Sequence, residues 1–309
     1  MRFTLSWAVM IFLLSPSLPL AEQAAAKEIN QPKAAAKGKE IRGKDGAPMV
    51  LVPAGEFLMG SNEALAKPVH PVSLDAFYLD QYEVTNALFE KFIRDTGHKT
   101  AAEKAGKTYT FSSGNKEVIG ANWRKPEGRE TVFASNRETH PVVVVSWLDA
   151  EAYCRWAGKR LPTEAEFEYA NRGRTTTRYW WGDGLPKSRR VANMADESLG
   201  RKFPSDKHFV AGYDDGYAQT APVGSFDPNP FGLYDMTGNV WEWTADWFEP
   251  YQNSPSRNPM GPSSGEFKII RGGAWNSNDV FGLHPAARLF DDPTARFDDI
   301  TGFRCARTP

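Results

Sequence analysis

From Gly173 to the C-terminus, glycine, proline, asparagine and aspartate recur among tryptophan, tyrosine and phenylalanine. Such a stretch sustains neither long helices nor long strands, because turn residues keep resetting the backbone. Long loops persist in a folded domain only where something pins them. Three agents are open to this chain: aromatic packing, bound ions and a disulfide. The last is tightly bounded, because the 309 residues contain only two cysteines, Cys154 and Cys305. That count excludes a disulfide-dense mini-domain and any CxxC…CxxC zinc site, and leaves one bridge or two free thiols.

Composition narrows the partners. Hydrophobic residues at 41% and aromatics at 13% are enough for a sizeable core. Lys and Arg number 37 against 38 Asp and Glu, a formal charge of −1. A near-neutral chain has no overall electrostatic reason to coat nucleic acid or an anionic membrane. At the N-terminus, Arg2 and the apolar run Phe3–Leu14 read as an export signal, broken by Pro16 and Pro19, with Ala21 offering a small residue for cleavage. The run is shorter than the ~20 apolar residues a membrane span needs. Residues 1–21 are therefore expected to be a signal peptide on an exported protein, periplasmic or secreted, with no membrane span. Residues 22–47 carry two Ala-Ala-Ala-Lys repeats and no aromatic, so they read as a flexible linker. One domain is expected over 48–309.

Regular structure is legible in the first half. Met49–Val52, Phe57–Met59 and Phe77–Tyr82 read as strands, and the β-branched run Val142–Val145 as another. Thr85 is placed to cap a helix bearing Leu88, Phe89, Phe92 and Ile93 on one face. Ser146 with Asp149 opens a second helix, with a stripe of Ala150, Tyr153, Cys154 and Ala157 ending at Gly158. Thr163 with Glu166 forms a capping box for a third, stopped by Gly173.

Eight motifs then follow in order: Gly55-Glu-Phe-Leu-Met-Gly-Ser61, Tyr82-Glu-Val-Thr-Asn86, His140-Pro-Val-Val-Val-Val-Ser-Trp147, Tyr153 to Tyr169, Thr220-Ala-Pro-Val223, Gly232 to Thr244, Arg271-Gly-Gly273 and Gly302-Phe-Arg-Cys305. Together they resemble the formylglycine-generating enzyme family, or sulfatase-modifying factor domains. The resemblance implies an α+β, C-type-lectin-like fold with little regular secondary structure. It also implies a long-range disulfide between Cys154 and Cys305, which export to an oxidising compartment favours.

Two structural calcium sites are implied in the same way. One would take Asn193, the Met194 carbonyl, Asp215 and the Tyr217 carbonyl, with Asp214 as an alternative to Asp215. The other would take Asp235, the Gly238 and Val240 carbonyls and Glu242. Calcium accepts such mixtures of carboxylate, amide and carbonyl oxygens. Read without the family, these acids beside glycines cap turns.

The family's reaction oxidises a substrate cysteine to formylglycine with dioxygen and copper(I) held by two thiolates, the soft ligands that ion prefers. Counting from Arg271-Gly-Gly273, the two cysteine positions hold Ser277 and Gly282, and Ala274 stands where serine is usual. With both cysteines assigned to a bridge, copper is not expected. Nor do His70, His98, His140, His208 and His284 show a metal-binding spacing. The remaining candidates are His284 as acid, Arg288 as anion clamp, Asp279 as base and Ser277 as nucleophile. Each of them competes with a role as a hydrogen-bonded wall. Trp275, Ala274 and Gly282 would line a pocket, while Trp241, Trp243 and Trp247 read as core.

Two function classes follow. One is an oxidoreductase acting on a peptide or peptide-derived small molecule, similar to the periplasmic pyoverdine-maturation oxidases that also lack the cysteine pair. The other is a non-catalytic module holding a protein, peptide or glycan.

Overall fold

The computed structural model describes residues 41–309, apart from 64, 187–189, 205–207, 279–281 and 295–298. The signal peptide and most of the linker read from the sequence lie outside these residues. In chain order, the first half gives β1 (Ile41–Arg42), β2 (Pro48–Val52), β3 (Gly55–Met59), β4 (His70–Leu74), β5 (Phe77–Asp80), α1 (Asn86–Thr96), α2 (Ala101–Ala105), β6 (Lys107–Thr110), β7 (Lys116–Ile119), α3 (Trp147–Trp156) and α4 (Glu164–Arg172). The second half gives α5 (Glu197–Lys202), β8 (Trp241–Trp247), β9 (Ser256–Arg257), β10 (Lys268–Arg271), β11 (Arg288–Asp291), β12 (Thr301–Gly302) and β13 (Ala306–Arg307). This is an α+β fold of short elements. None of the described helices is long and apolar enough to cross a membrane.

The helices start where side chains cap them. Thr85 accepts from the Leu88 amide, and Ser146 with Asp149 and Thr163 with Glu166 form reciprocal capping boxes. Gly97 and Gly173 close α1 and α4 in the left-handed conformation that glycine adopts without strain. The strands build two four-stranded sheets, in the orders β1-β2-β5-β13 and β11-β10-β8-β12. Because β13 pairs with β5, the C-terminal residues complete the sheet begun at the other end of the domain.

Two expectations need correcting. Ile41 pairs with Met49, so sheet structure begins before Pro48; a two-residue strand leaves no compositional trace, and its anchor is the buried Asp45 that follows it. The run Val142–Val145 is not a strand. All four side chains are buried, so no alternation marks a sheet face, and Val144 sits at φ 59°, which breaks the extended backbone.

The main core gathers Phe89, Phe92, Trp123, Tyr153, Trp241, Trp243 and Phe303 around Cys154 and Cys305. These two cysteines are bonded, with Cα atoms 5.7 Å apart. Cys305 lies between β12 and β13 rather than within a strand, held to Asp80 by both its amide and its carbonyl. Charged groups are buried beside this core as pairs. Lys159 Nζ meets Asp45 at 2.8 Å and Asp80 at 2.6 Å, while Arg271 joins Glu164 and Glu168 of α4 to β10.

Candidate functional site

The turn after β10 brings together Ser277 and Gly282, the two positions that the sequence resemblance matches to cysteine. Ser277 and Gly282 are both buried, and a Cβ added to Gly282 would lie 2.8 Å from Ser277 Oγ and 2.7 Å from the Trp241 ring. Gly282 also sits at φ 97°, a conformation that side-chain-bearing residues rarely adopt. The backbone here is therefore shaped for glycine, and no second thiolate fits without moving Trp241.

Most candidate catalytic residues serve the fold. Ser277 Oγ accepts the Ala274 amide at 3.0 Å, closing a tight turn. Arg288, read from sequence as an anion clamp, is buried against Glu164, with Nε to Oε1 at 2.6 Å and Nη2 to Oε2 at 3.0 Å, and stacks 3.9 Å over Tyr251. A guanidinium so satisfied has no free fork for a substrate anion. Trp275 and Ala274, read from sequence as pocket residues, are both at 0% exposure. Trp275 packs on Phe111 and Phe203 and donates to the Asp299 carbonyl, because its indole fills the space behind α5. Asp279 lies outside the described residues.

His284 remains. It is half-buried, and its Nδ1 accepts the Ala286 amide at 3.0 Å, leaving Nε2 to carry the proton. Burial, reinforced by the positive charge of Arg172, lowers its pKa. It is therefore neutral near pH 7. A groove of about 400 Å³ runs elsewhere, along Phe77, Trp147, Leu161 and Met260.

The first oxygen-rich set is assembled by one carboxylate. Asp215 accepts the Met194 amide at 3.0 Å and the Tyr217 amide at 2.7 Å, so it holds the two residues whose carbonyls would serve as ligands close to its own carboxylate. Asp214, by contrast, faces solvent with Arg201 and Ser198 on its carboxylate, which favours Asp215 for the buried role. Asn193 is fully buried and its Oδ1 has no partner. Burial, followed by the neighbouring Asp196, pushes the Asp215 carboxyl up to about 8. Hard oxygens, one of them orphaned, and two crowded carboxylates fit a calcium ion.

The second set lies at the entry to β8. Asp235 Oδ2 accepts the Gly224 amide at 2.7 Å, while its Oδ1 is buried without a partner. Glu242 shares both oxygens with Arg304, at 2.7 to 3.0 Å, although a carboxylate keeps further lone pairs. Glu83, which the sequence reading missed, is buried beside them, and its Oε1 is also orphaned. Its carboxyl is raised well above its usual range by burial, then by the charges of Asp235 and Glu242. The only trace of Glu83 in the sequence was its place in the Tyr82–Asn86 motif. The Glu83, Asp235 and Glu242 carboxyls share one guanidinium, Arg304, and the two orphaned oxygens, Asp235 Oδ1 and Glu83 Oε1, are hard donors of the kind calcium takes. Among the described residues no three His, Cys, Asp or Glu side chains converge as a ready ligand cluster. Both sets accordingly draw on amide and carbonyl oxygens.

Short capped helices, paired small sheets and glycine-shaped loops around a glycine turn define a sulfatase-modifying-factor type of domain. The chain belongs to that family: the model for the sulfatase-modifying factor enzyme 1-like domain matches residues 34–309. The formylglycine-generating enzyme of Streptomyces coelicolor is 41% identical over 307 residues, covering 89% of this chain and 92% of that protein. The inactive C-alpha-formylglycine-generating enzyme 2 of Bos taurus is 34% identical over 287 residues, covering 84% and 87%. Among solved structures, PvdO from Pseudomonas aeruginosa superposes with a TM-score of 0.68 at 30% identity, over 89% of this chain and all of that one.

Proposed function

We propose that this chain is an exported, calcium-stabilised oxidoreductase that uses dioxygen on a peptide or peptide-derived substrate without a copper–dithiolate site. The observation that carries the departure from formylglycine chemistry is Gly282. Its φ of 97° and the Trp241 ring 2.7 Å from an added Cβ argue against a second thiolate at this position, and both cysteines are bonded to each other. The match to the sulfatase-modifying factor enzyme 1-like domain supports an enzymatic reading, and the sequence resemblance to pyoverdine-maturation oxidases implies that such a member can work without the thiolate pair.

His284 is the residue assigned to proton transfer. Its lowered pKa keeps a neutral imidazole available at neutral pH. The test is oxygen uptake and mass change by the purified mature protein against peptides and peptide-derived small molecules of its own compartment. His284→Ala is expected to reduce the rate by about 10²–10⁴-fold, the usual worth of a general acid or base. A Cys-x-Pro-x-Arg peptide should keep its mass; conversion of its cysteine to the aldehyde would defeat the proposal.

A specific observation favours a second reading, a binding module. Ser277, Arg288 and Trp275 all serve packing or turn closure, and one relative of this chain is named as inactive. On that reading, a peptide or glycan is retained by the protein with no oxygen uptake, and His284→Ala leaves retention unchanged.

A further inference from the structure

The two oxygen-rich loops touch. The Asn239 amide donates to the Asn193 carbonyl at 2.8 Å, and a Cβ on Gly238, at φ 85°, would lie 2.1 Å from that same carbonyl. One side chain then spans the junction. Asn239 Oδ1 accepts from Asn193 Nδ2 at 3.0 Å, and Asn239 Nδ2 donates to Glu83 Oε2 at 2.7 Å. Asn239 is itself fixed by the Ala221 amide, which donates to Oδ1 at 2.8 Å. The far atom at each end, Asn193 Oδ1 and Glu83 Oε1, is a buried oxygen with no partner. The relay therefore runs from an unsatisfied oxygen in the first set to an unsatisfied oxygen beside the second.

We infer that Asn239 couples the two cation sites through Asn193 and Glu83, so that they fill cooperatively. Asn193 Nδ2 donates to both Asn239 Oδ1 and the Gln219 carbonyl, at 3.0 and 2.8 Å, so a cation on Asn193 Oδ1 polarises an amide already bonded to Asn239 and strengthens that donation. The effect passes through Asn239 to the hydrogen bond it donates to Glu83, a carboxylate that feels the charges of Asp235 and Glu242. The bonds of this network are made before any ion arrives; the first ion stiffens them, and the second binds to a network that has already been stiffened. Couplings of this kind alter affinity by about 5- to 150-fold. Asn239 and Glu83 act here as positioning residues, with Glu83 adding charge to the second site.

The inference rests on the calcium reading, and one experiment separates the two. The mature chain is stripped with chelator and titrated with ⁴⁵Ca²⁺ by equilibrium dialysis. Two ions per chain with a Hill coefficient of about 1.4 to 1.8 are expected for the wild type, the range that a 5- to 150-fold coupling gives two equal sites. Asn239→Ala should still bind two ions, with a Hill coefficient of about 1. Glu83→Ala cuts the same relay from its other end without altering the Asn239 turn, so it should show the same loss with weaker overall affinity. It serves as the test if Asn239→Ala does not fold, as judged by circular dichroism. Two ions bound independently by the wild type, or cooperativity surviving in a folded variant, would overturn the coupling and leave the calcium sites standing. No bound calcium in the wild type overturns both.

Discussion

At the scale of single residues, the interior holds more ionisable groups than its apolar clusters suggest, and several are answered by a charged partner. Lys159 sits between Asp45 and Asp80, Arg271 between Glu164 and Glu168, and Arg304 on Glu242. Breaking such a pair strands a charge away from water, at a cost of about 3–5 kcal/mol. Asp246 is less well compensated. It accepts the Glu164 amide at 2.7 Å, and burial together with the Glu164 charge pushes its carboxyl up to about 7. The folded protein therefore keeps a proton that the unfolded chain releases above its ordinary value of 3.8. Unfolding releases that proton between about pH 4 and 7, so stability from this group falls as pH rises, by about 1.4 kcal/mol per pH unit. Asp246→Asn keeps an oxygen for the Glu164 amide and removes the titration. Urea midpoints measured from pH 4 to 8 should accordingly converge at low pH and favour the variant at high pH; parallel curves would contradict the assignment. Little of this was visible in the sequence, since a charged residue reads alike whether solvated or buried.

Secondary-structure elements were legible in proportion to how local their causes are. Thr85, Ser146 and Thr163 marked helix starts because a cap needs only a side-chain oxygen and an amide two or three residues on. The strands with clear runs, β2, β3 and β5, were also found. In contrast, β9, β11, β12 and β13 are two to four residues long and exist only through partners far along the chain, such as Thr301 beside Trp241. Val142–Val145 shows the opposite error, a strand-like composition whose backbone turns left-handed at Val144. The cap of α4 bears testing because this helix carries Glu164 and Glu168, the partners of Arg271. Thr163 Oγ1 accepts the Glu166 amide at 3.1 Å, and Glu166 reaches back to the Thr163 amide at 2.8 Å. Thr163→Ala should lower stability by about 1 kcal/mol, seen as a reduced urea midpoint at unchanged slope. An unchanged midpoint would show that tertiary contacts alone set this helix start.

For the whole molecule, the site was legible in one respect and hidden in another. The two cysteines could be counted, and their bond to each other leaves no free thiol in the chain. What the sequence could not show is that Gly282 is packed against Trp241, a contact between β8 and the turn after β10 that no local pattern encodes. The same holds for Asn239, whose importance lies in bridging loops that start at Asn193 and Glu83. The Cys154–Cys305 bridge spans 151 residues and encloses both oxygen-rich sets, Gly282 and His284. It therefore constrains the half of the chain with the least regular hydrogen bonding, where the unfolded ensemble gains most from release. In the loop-entropy model a closure of this length contributes about 4–5 kcal/mol. The pair of substitutions Cys154→Ser and Cys305→Ser should cost about that much, measured by urea unfolding with calcium saturating. Single substitution would leave a free thiol and confuse the comparison, so the double variant is the cleaner probe. A loss under about 1 kcal/mol would mean that cation binding and aromatic packing already restrain the loop, and that the bridge contributes little to what pins it.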